Sequence, residues 1–578
     1  MSIDPLRTAN CTTFHATKHE RNAEMTRTKR SLAVALAAGA AAIALGMTGC
    51  TPSAGGGGDD APVLRIWAGS ATPINNNFNP FAVDTAVHAT FGVIYEPLFF
   101  FNQLSADAPV GLIGDSYEYS EDGRTLTVTI KPGLQWSDGE DLTADDVAFT
   151  FGYGSNKSEQ FVSAEATDPT TVVLTYTEPQ FTSASLTLGS TYIIPEHIWA
   201  DIDDFMAETN PEPVGSGPYV LKSFSDAAYT VEANELFRDG APAVTEVQYL
   251  GLDSNQSSQD LLTTGKIDWV GQFIANPDAV TGAGDITTLN LQQDPTTITT
   301  CANADLGCKG PQTDPAVRQA INVAIDRATI ADKAFAGLAG ESSPSFTLQP
   351  RDEQWLSDPE LATSPQEADA AEAGAILEAA GYTKDADGFY GKGGTAIEID
   401  LFSPDGWTDY NDAAKLISEQ AAEAGIRINA RTVSDAEYWT PIQSGDFQMA
   451  LYGLTQSLVA DPYSNYHEYF AGSSTVKVGE SPLDGQNYAR YSNPAVDAAV
   501  LAAGATQDVA TKQAAYATIQ TEIARDLPYI PVVLNASQSF FNTEKFSGWP
   551  SEDDLYAAPL PYLAVANAVV LAHLTPAK

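Results

Sequence analysis

The hydrophobic pattern of this 578-residue chain changes its period near the middle. In the first half, apolar and polar residues alternate in stretches such as "RTLTVTIKPG" and "TTVVLTYTEP", and turn sequences such as "EDG" bound them. Such alternation is typical of half-buried β-strands. In the second half, Asp314-Pro315 precedes Val317, Ile321 and Ile325 at helical spacing, and strand-like segments such as "AIEIDLF" follow. Alternating helices and strands indicate an α/β domain, so two bodies of different character are predicted.

Local signals place several helix boundaries. Thr143-Ala-Asp-Asp resembles a capping box, in which the cap and the acid three residues later bond to each other's backbone N–H groups. Ser364-Pro365 and Asn493-Pro494 each put a capping residue before a proline that suits the first helical position. Gly381 is predicted to end the helix that begins at Pro365. After residue 538 the pattern turns β-like again.

The N-terminal segment reads as a targeting signal. Residues 32–45 form an uncharged apolar run that follows the positive side chains of Arg27, Lys29 and Arg30. This order is typical of a secretory signal peptide, and the run is shorter than the roughly 20 residues of a transmembrane helix. The sequence "MTGC" that ends at Cys50 resembles the bacterial lipobox, in which the cysteine is lipidated.

Division of this segment follows from those signals. Because 24 residues precede Met25, we expect translation to start at Met25 and residues 1–24 to be an untranslated leader. Residues 25–49 are the predicted signal peptide. Residues 50–62 are predicted to hold the lipidated Cys50 and a glycine-rich flexible tether. Two acyl chains on Cys50 would anchor the protein stably to the outer face of the cell membrane.

Charge excludes one class of partner. The chain has 75 acidic and 29 basic residues, a formal net charge of −46. Nucleic-acid binding is excluded, because its affinity comes from basic side chains that neutralise phosphates. An acidic excess of this size favours solubility and repels anions, and it does not specify a fold.

The four cysteines divide by position. Cys11 lies in the leader and Cys50 is the lipidation site, which leaves Cys301 and Cys308. An exported protein with one remaining pair is expected to oxidise it to a disulfide. Metal binding by this pair lacks a second pair or a nearby histidine. Neither a metal site nor a cofactor is predicted.

Six stretches resemble one family, in chain order. They are "IYEPLFFFN" (94–102), "IKPGLQWSDGEDLTADDVAFTF" (130–151), "PVGSGPYVLKSF" (213–224), "DPAVRQAINVAIDRATI" (314–330), "EAAGYTKDADGFY" (378–390) and "NYARYSNPAVDAAV" (487–500). On these motifs the chain resembles the family 5 extracytoplasmic solute-binding proteins of ABC importers, the oligopeptide, dipeptide and nickel binder group. The resemblance covers nearly the whole chain that follows the tether.

The resemblance implies an α/β, two-lobed periplasmic-binding-protein-like fold (type II, cluster C) with an extra β-rich subdomain in lobe 1. Lobe 1 is expected to comprise residues 63–295 and 535–578, and lobe 2 residues 296–534. A monomer of this kind would close over a solute between its lobes by a hinge motion, as far as the solute binds the closed state better. The permease subunits of the importer would then recognise the closed form.

The solute is either an oligopeptide or an oligosaccharide. Peptide-binding relatives often carry an acid for the peptide's ammonium group in a segment like Asp-Tyr-Pro-Asp-Pro. The corresponding stretch here is "SLVADPYSNY", in which Asp461-Pro462 matches the final pair and Leu458 occupies the position of the first acid. This departure weakens the peptide assignment. Asp461 could still bind the solute, or it could cap a local turn.

Neutral sugars are instead held by aromatic faces and planar amides. The chain offers both, and the tail "EKFSGWPSEDDLYAAPLP" is similar to that of family members that take β-linked oligosaccharides. A core position is the alternative for each aromatic residue. The predicted ligand-binding residues are Asn75, Asn77, Phe78, Tyr95, Trp407, Gln456, Asp461, Tyr466, Asn487 and Tyr488.

An exported hydrolase and a ligand-sensing lipoprotein without transport are the alternative functions. The sequence has no Gly-x-Ser-x-Gly elbow, and His467-Glu468 lacks the second histidine of a zinc protease, since residue 471 is Ala. The paired carboxylates of a glycoside hydrolase leave no distinguishing pattern among 75 acids. No enzymatic activity is therefore predicted.

Overall fold

The computed structural model describes residues 62–82, 85–158, 160–274, 276–282, 285–480 and 486–577. The predicted leader, the signal peptide and Cys50 lie outside these ranges. Within them, no helix has both the length and the apolar content that crossing a bilayer requires.

Strands run through most of the described chain. They are β1 (Leu64–Trp67), β2 (Phe99–Phe100), β3 (Val110–Gly111), β4 (Gly114–Tyr119), β5 (Thr125–Ile130), β6 (Leu134–Gln135), β7 (Asp141–Leu142), β8 (Phe161–Asp168), β9 (Thr171–Tyr176), β10 (Tyr219–Ser225), β11 (Ala228–Ala233), β12 (Glu246–Leu250), β13 (Trp269–Val270), β14 (Ile286–Thr300), β15 (Thr383–Lys384), β16 (Tyr390–Lys392), β17 (Thr395–Ala396), β18 (Glu398–Pro404), β19 (Arg427–Val433), β20 (Met449–Gly453), β21 (Tyr529–Asn542), β22 (Phe546–Ser547) and β23 (Thr575–Pro576).

Helices concentrate in the second half of the chain. They are α1 (Ala144–Phe151), α2 (Ala184–Gly189), α3 (Glu196–Trp199), α4 (Asn255–Thr263), α5 (Asp278–Thr281), α6 (Pro315–Ala324), α7 (Arg327–Lys333), α8 (Ala370–Ala379), α9 (Thr408–Glu423), α10 (Asp435–Ser444), α11 (Tyr463–Phe470), α12 (Pro494–Gly504), α13 (Val509–Asp526) and α14 (Ala564–His573).

A ten-stranded mixed sheet runs through the fold in the order β10-β11-β12-β1-β13-β21-β14-β20-β18-β19. Its two longest strands, β14 and β21, pair antiparallel at its centre, from Ile286 opposite Asn542 to Thr299 opposite Tyr529. β13 pairs with the C-terminal end of β21, at Phe540 and Phe541. β20 pairs with the C-terminal end of β14, at residues 296–300, which is the opposite end of the central pair. The central pair therefore joins two halves of the sheet.

Buried apolar residues form two groups of cores on either side of this pair. One group draws on residues 64–291 and 540–574, and the other on residues 298–533. We refer to the bodies around these groups as lobe 1 and lobe 2. Within β14, Leu291 belongs to lobe 1 and Ile298 to lobe 2; within β21, Val533 belongs to lobe 2 and Phe540 to lobe 1. The two strands are therefore the shared connection.

A separate antiparallel sheet, β4-β5-β9-β8, forms a β-rich part of lobe 1. In both β5 and β9 every second residue is buried, as the period of their sequences predicts. Their buried faces pack with α1 around Trp136, which is fully buried.

Most of the local helix predictions are confirmed. Thr143 and Asp146 form the capping box that begins α1. Asp314 caps α6 with Pro315 in its first turn, and Asn493 caps α12 in the same way.

Two predictions are wrong. α8 begins at Ala370, capped by Asp369, and not at Pro365. Ser364 and Pro365 serve tertiary contacts instead: the Ser364 N–H donates to Ser342 O, and Pro365 O accepts from the guanidinium of Arg327. The segment after residue 538 is not uniformly β-like, because α14 lies within it.

A disulfide joins Cys301 and Cys308, whose Cα atoms are 5.4 Å apart. Both cysteines are buried in a small core of lobe 2 with Tyr438, Ile442 and Phe447. The bridge closes the loop that follows β14.

Candidate functional site

Two adjoining cavities lie between the lobes. The first, of about 290 Å³, contains charged side chains, and we call it the polar cavity. Lobe 1 lines it with Phe101, Asn102 and Tyr117, and lobe 2 lines it with Trp355, Leu458, Asp461, Tyr463 and Lys512. The second has a volume of about 240 Å³, and none of the described residues that line it is charged, so we call it the neutral cavity. Both cavities share Phe101, Asn102, Ser185 and Leu458.

The loop between β20 and α11 carries half of the lobe 2 wall. Trp355 Nε1–H donates to Ala460 O at 2.6 Å, which fixes the end of the loop. Asn465, in the first turn of α11, donates through Nδ2 to Thr455 O at 3.3 Å and fixes its beginning. Between these anchors the Leu458 side chain is 38% exposed and lines both cavities. The loop thus presents an apolar side chain to the space between the lobes.

Asp461 is paired inside the protein. Its Oδ2 accepts from Lys512 Nζ at 2.7 Å, and its Oδ1 accepts from the hydroxyl of Tyr516 and, at 3.0 Å, from the Tyr463 N–H. The side chains of Asp461 and Lys512 are only 17% and 10% exposed. Burial, followed by the charge of Asp461, raises the pKa of Tyr516 far above its ordinary value, so this hydroxyl remains a donor. Asp461 therefore both caps a turn and neutralises a lysine.

Aromatic rings and amides surround the neutral cavity. Phe101, Tyr192 and Tyr562 supply rings, and Asn102 and Gln103 supply side-chain amides. Gln103 Nε2 donates to Gln293 Oε1 on β14 at 2.9 Å, and Asn102 Nδ2 donates to Leu555 O at 2.7 Å. These bonds hold both amides in place along the wall.

Arg351 connects the two walls. Its Nη1 donates to Gln103 O of lobe 1 at 2.7 Å and to Ser457 O of lobe 2 at 2.8 Å. Its Nε and Nη2 donate to the two carboxylate oxygens of Asp352, which is fully buried. Such a bidentate pair holds the guanidinium in one orientation. Arg351 is thus a fixed bridge between the loops that bear Gln103 and Leu458.

The central strand β14 carries a partly buried acid between the lobes. Asp294 accepts from Ser537 Oγ of β21 at 3.1 Å. Burial raises the pKa of Asp294 to about 6, and the hydrogen bond from Ser537 partly opposes this shift. Asp294 is therefore an acid with a raised pKa at the connection of the two lobes.

Of the ten predicted ligand-binding residues, Asp461 lines the polar cavity, and the other nine are not among the described residues that line either cavity. The structure places Phe78, Tyr95, Tyr466 and Asn487 in the interior, where they have no exposed surface. Phe78 packs edge-on against Tyr229, and the other three bond to interior partners through their hydroxyl or amide groups. These four are therefore corrected to core positions.

The remaining predicted residues lie outside both cavities. Asn75 is exposed, and Asn77 donates through Nδ2 to Thr85 Oγ1 in a surface turn of lobe 1. Trp407 is 43% exposed and packs at the start of α9. Gln456 lines a smaller cavity of about 30 Å³, and Tyr488 packs edge-on against Tyr452.

Sequence reasoning missed most of the cavity walls. Phe101 and Asn102 end the "IYEPLFFFN" motif, which could have indicated them. Lys512 lies on α13, and Tyr562 lies two residues before α14; nothing in the local sequence of either residue marks it. Among the described residues, no three His, Cys, Asp or Glu side chains are grouped to hold a metal ion.

The comparison that decides the family is a match of residues 108–476 to "Bacterial extracellular solute-binding proteins, family 5 Middle". The chain belongs to this family. The predicted family is thus confirmed, and the protein is an extracellular solute-binding protein.

Curated relatives agree with this assignment. The chain is 29% identical to Protein XP55 of Streptomyces lividans over 87% of this chain and 90% of the relative. It is 26% identical to the oligopeptide-binding protein AppA of Bacillus subtilis over 72% and 76%. These relatives are similar over most of their length.

Solved structures confirm the two-lobed α/β fold class. The periplasmic oligopeptide-binding protein of a Thermotoga maritima oligopeptide ABC transporter superposes with a TM-score of 0.80 at 24% identity, over 89% of this chain and 99% of that one. A structure of the same protein with bound mannohexaose superposes with a TM-score of 0.74 at 24% identity, over 89% and 98%.

Proposed function

We propose that this protein captures neutral oligosaccharides between its lobes and delivers them to the permease of an ABC importer. The observation that carries this proposal is Leu458, which stands where peptide-binding relatives often have an acid and lines both cavities. A peptide's N-terminal ammonium group that loses its hydration there would find no carboxylate at this position. An uncharged solute has no such requirement.

The lining of the neutral cavity supports a sugar. The rings of Phe101, Tyr192 and Tyr562 offer faces for the apolar side of a pyranose, and the amides of Asn102 and Gln103 offer donors and acceptors for hydroxyls. The tail segment that resembles β-linked oligosaccharide binders contributes Ala558 to this wall. The Thermotoga maritima protein with bound mannohexaose also favours a sugar in this fold.

Oligopeptides are the second candidate. The relative from Bacillus subtilis is named an oligopeptide-binding protein, and a structure of that protein contains a nonapeptide. The side chain of Asp107, which is exposed in the polar cavity, is a carboxylate that an ammonium group could approach.

The organisation of the protein is part of the same proposal. We assign residues 63–295 and 535–578 to lobe 1 and residues 296–534 to lobe 2, because the two groups of cores separate at these positions along β14 and β21. We also propose a monomer that is anchored to the membrane through a lipidated Cys50. Metabolic labelling with a radioactive fatty acid should mark the wild type and leave Cys50→Ala unlabelled; equal labelling of both proteins would contradict the anchor.

A thermal-shift panel tests the choice of solute. The panel comprises cello-, xylo- and manno-oligosaccharides and di- to pentapeptides, each at millimolar concentration. A solute with micromolar affinity, about 8 kcal/mol, raises the melting temperature measurably under these conditions. We expect at least one sugar series to raise it and the peptides to leave it unchanged. Shifts by peptides alone would establish the second candidate.

A further inference from the structure

The polar cavity contains a carboxylate that is already neutralised. Asp461 lies three residues after Leu458 in the same loop and lines the polar cavity. A carboxylate at this place could bind the ammonium group of a peptide, but Lys512 Nζ already occupies its Oδ2 at 2.7 Å. The Tyr516 hydroxyl and the Tyr463 N–H occupy Oδ1. The cation that Asp461 binds is thus part of the protein.

Lys512 is held in this position. It lies on α13, and its aliphatic stem is buried while its ammonium group lies 5.9 Å from the ring centre of Trp355. Trp355 and Lys512 both line the polar cavity. A lysine with only 10% of its side chain exposed has little freedom to leave the carboxylate.

We infer that Lys512 is a specificity-determining residue, whose ammonium group excludes peptides by occupying the carboxylate of Asp461. This inference rests on the proposed function, in which the solute is neutral. An incoming peptide ammonium group would meet the positive charge of Lys512 beside Asp461, and like charges brought together at an interface disfavour a partner strongly. Neutral sugars meet no such repulsion.

The test replaces Lys512 and compares a peptide that carries an N-terminal ammonium group with one that lacks it. Lys512→Met removes the internal cation and keeps the apolar stem. We expect the Kd of trialanine, measured by isothermal titration calorimetry, to fall at least about tenfold relative to wild type, because Asp461 gains a free oxygen for the ligand's ammonium group. N-acetyl-trialanine, which lacks this group, should gain nothing. Equal gains for both peptides, or no gain for trialanine, would overturn the inference.

Two further variants serve as matched controls. Lys512→Arg keeps the positive charge and should leave trialanine binding as it is in wild type. The double variant Asp461→Asn with Lys512→Met removes both charges and should abolish the gain. Circular dichroism checks that each variant folds. If Lys512→Met does not fold, Lys512→Leu replaces it, because leucine also cannot donate to Asp461, and the same two outcomes decide.

The inference and the proposed function fail in different ways. If wild type binds no oligosaccharide of the panel, the proposed function fails. The trialanine affinities of Lys512→Met and wild type still decide the inference on Lys512. If wild type binds trialanine tightly with Lys512 in place, the exclusion by Lys512 fails whatever sugars bind.

Discussion

Replacing Asp294 by asparagine should stabilise the protein at neutral pH. Burial raises the pKa of Asp294 from its ordinary value of 3.8 to about 6, so the folded protein holds a proton that the unfolded chain releases. The contribution of Asp294 to the free energy of unfolding is therefore greatest below about pH 4. It falls as the pH rises to about 6 and stays low above that pH. Each unit of pKa corresponds to about 1.36 kcal/mol, so the stability that Asp294 costs at high pH is at most about 3 kcal/mol.

Asparagine keeps an acceptor for Ser537 and cannot ionise, so we expect the free energy of unfolding of Asp294→Asn at pH 7 to exceed that of wild type by ~1–2 kcal/mol. Urea unfolding followed by circular dichroism at pH 4, 5, 6 and 7 measures this difference. It should be near zero at pH 4 and grow as the pH rises. The nearby Asp409, whose pKa burial also raises, is present in both proteins and cancels.

Asp446→Asn is the matched control, because Asp446 is exposed on the surface of lobe 2. Its unfolding free energy should stay within about 0.5 kcal/mol of wild type at each pH. A difference for Asp294→Asn that is constant with pH, or that favours wild type at pH 7, would refute the reasoning.

Three further predictions concern stability and use the same urea assay. Arg351→Met leaves Asp352 buried without its cation and should cost ~3–5 kcal/mol; adding Asp352→Asn should restore part of this loss, and no recovery would speak against the pairing. Thr143→Ala removes the cap of α1 and should cost about 1 kcal/mol; an unchanged midpoint would contradict the capping box. Replacing Cys301 and Cys308 together by alanine opens a loop with a sequence separation of 7 and should cost roughly 2 kcal/mol; a loss that reduction of wild type does not reproduce would contradict this.

Features that depend on neighbours along the chain were predictable from the sequence. The caps of α1, α6 and α12 need only a side chain and the N–H groups two or three residues later, so Thr143, Asp314 and Asn493 were identified correctly. Ser364-Pro365 has the same local form, but the helix start that it predicts is wrong. Its backbone groups bond to Ser342 and Arg327, and that competition lies in the tertiary structure, which a local pattern does not contain.

The candidate site was less predictable. Tyr95 and Tyr466 have aromatic rings of the kind that stack on sugars. Whether a ring faces a cavity or a core depends on what packs against it, and both are buried in cores. Asp461 was found because it belongs to a motif. Its partner Lys512 is 51 residues away on another helix, and only the packing of α13 against the loop brings the two together.

Calorimetry on two leucine variants tests the central claim that a neutral solute binds between the lobes. The sugar that shifts wild type most in the thermal panel is titrated into wild type, Leu458→Asp and Leu501→Asp. Leu458 lines both cavities, whereas Leu501 is 75% exposed on α12 and lines neither. We predict that the charge at 458 weakens sugar binding at least about tenfold, since it must lose hydration when the solute binds, and that the charge at 501 changes nothing. Equal affinities of the two variants would contradict the claim.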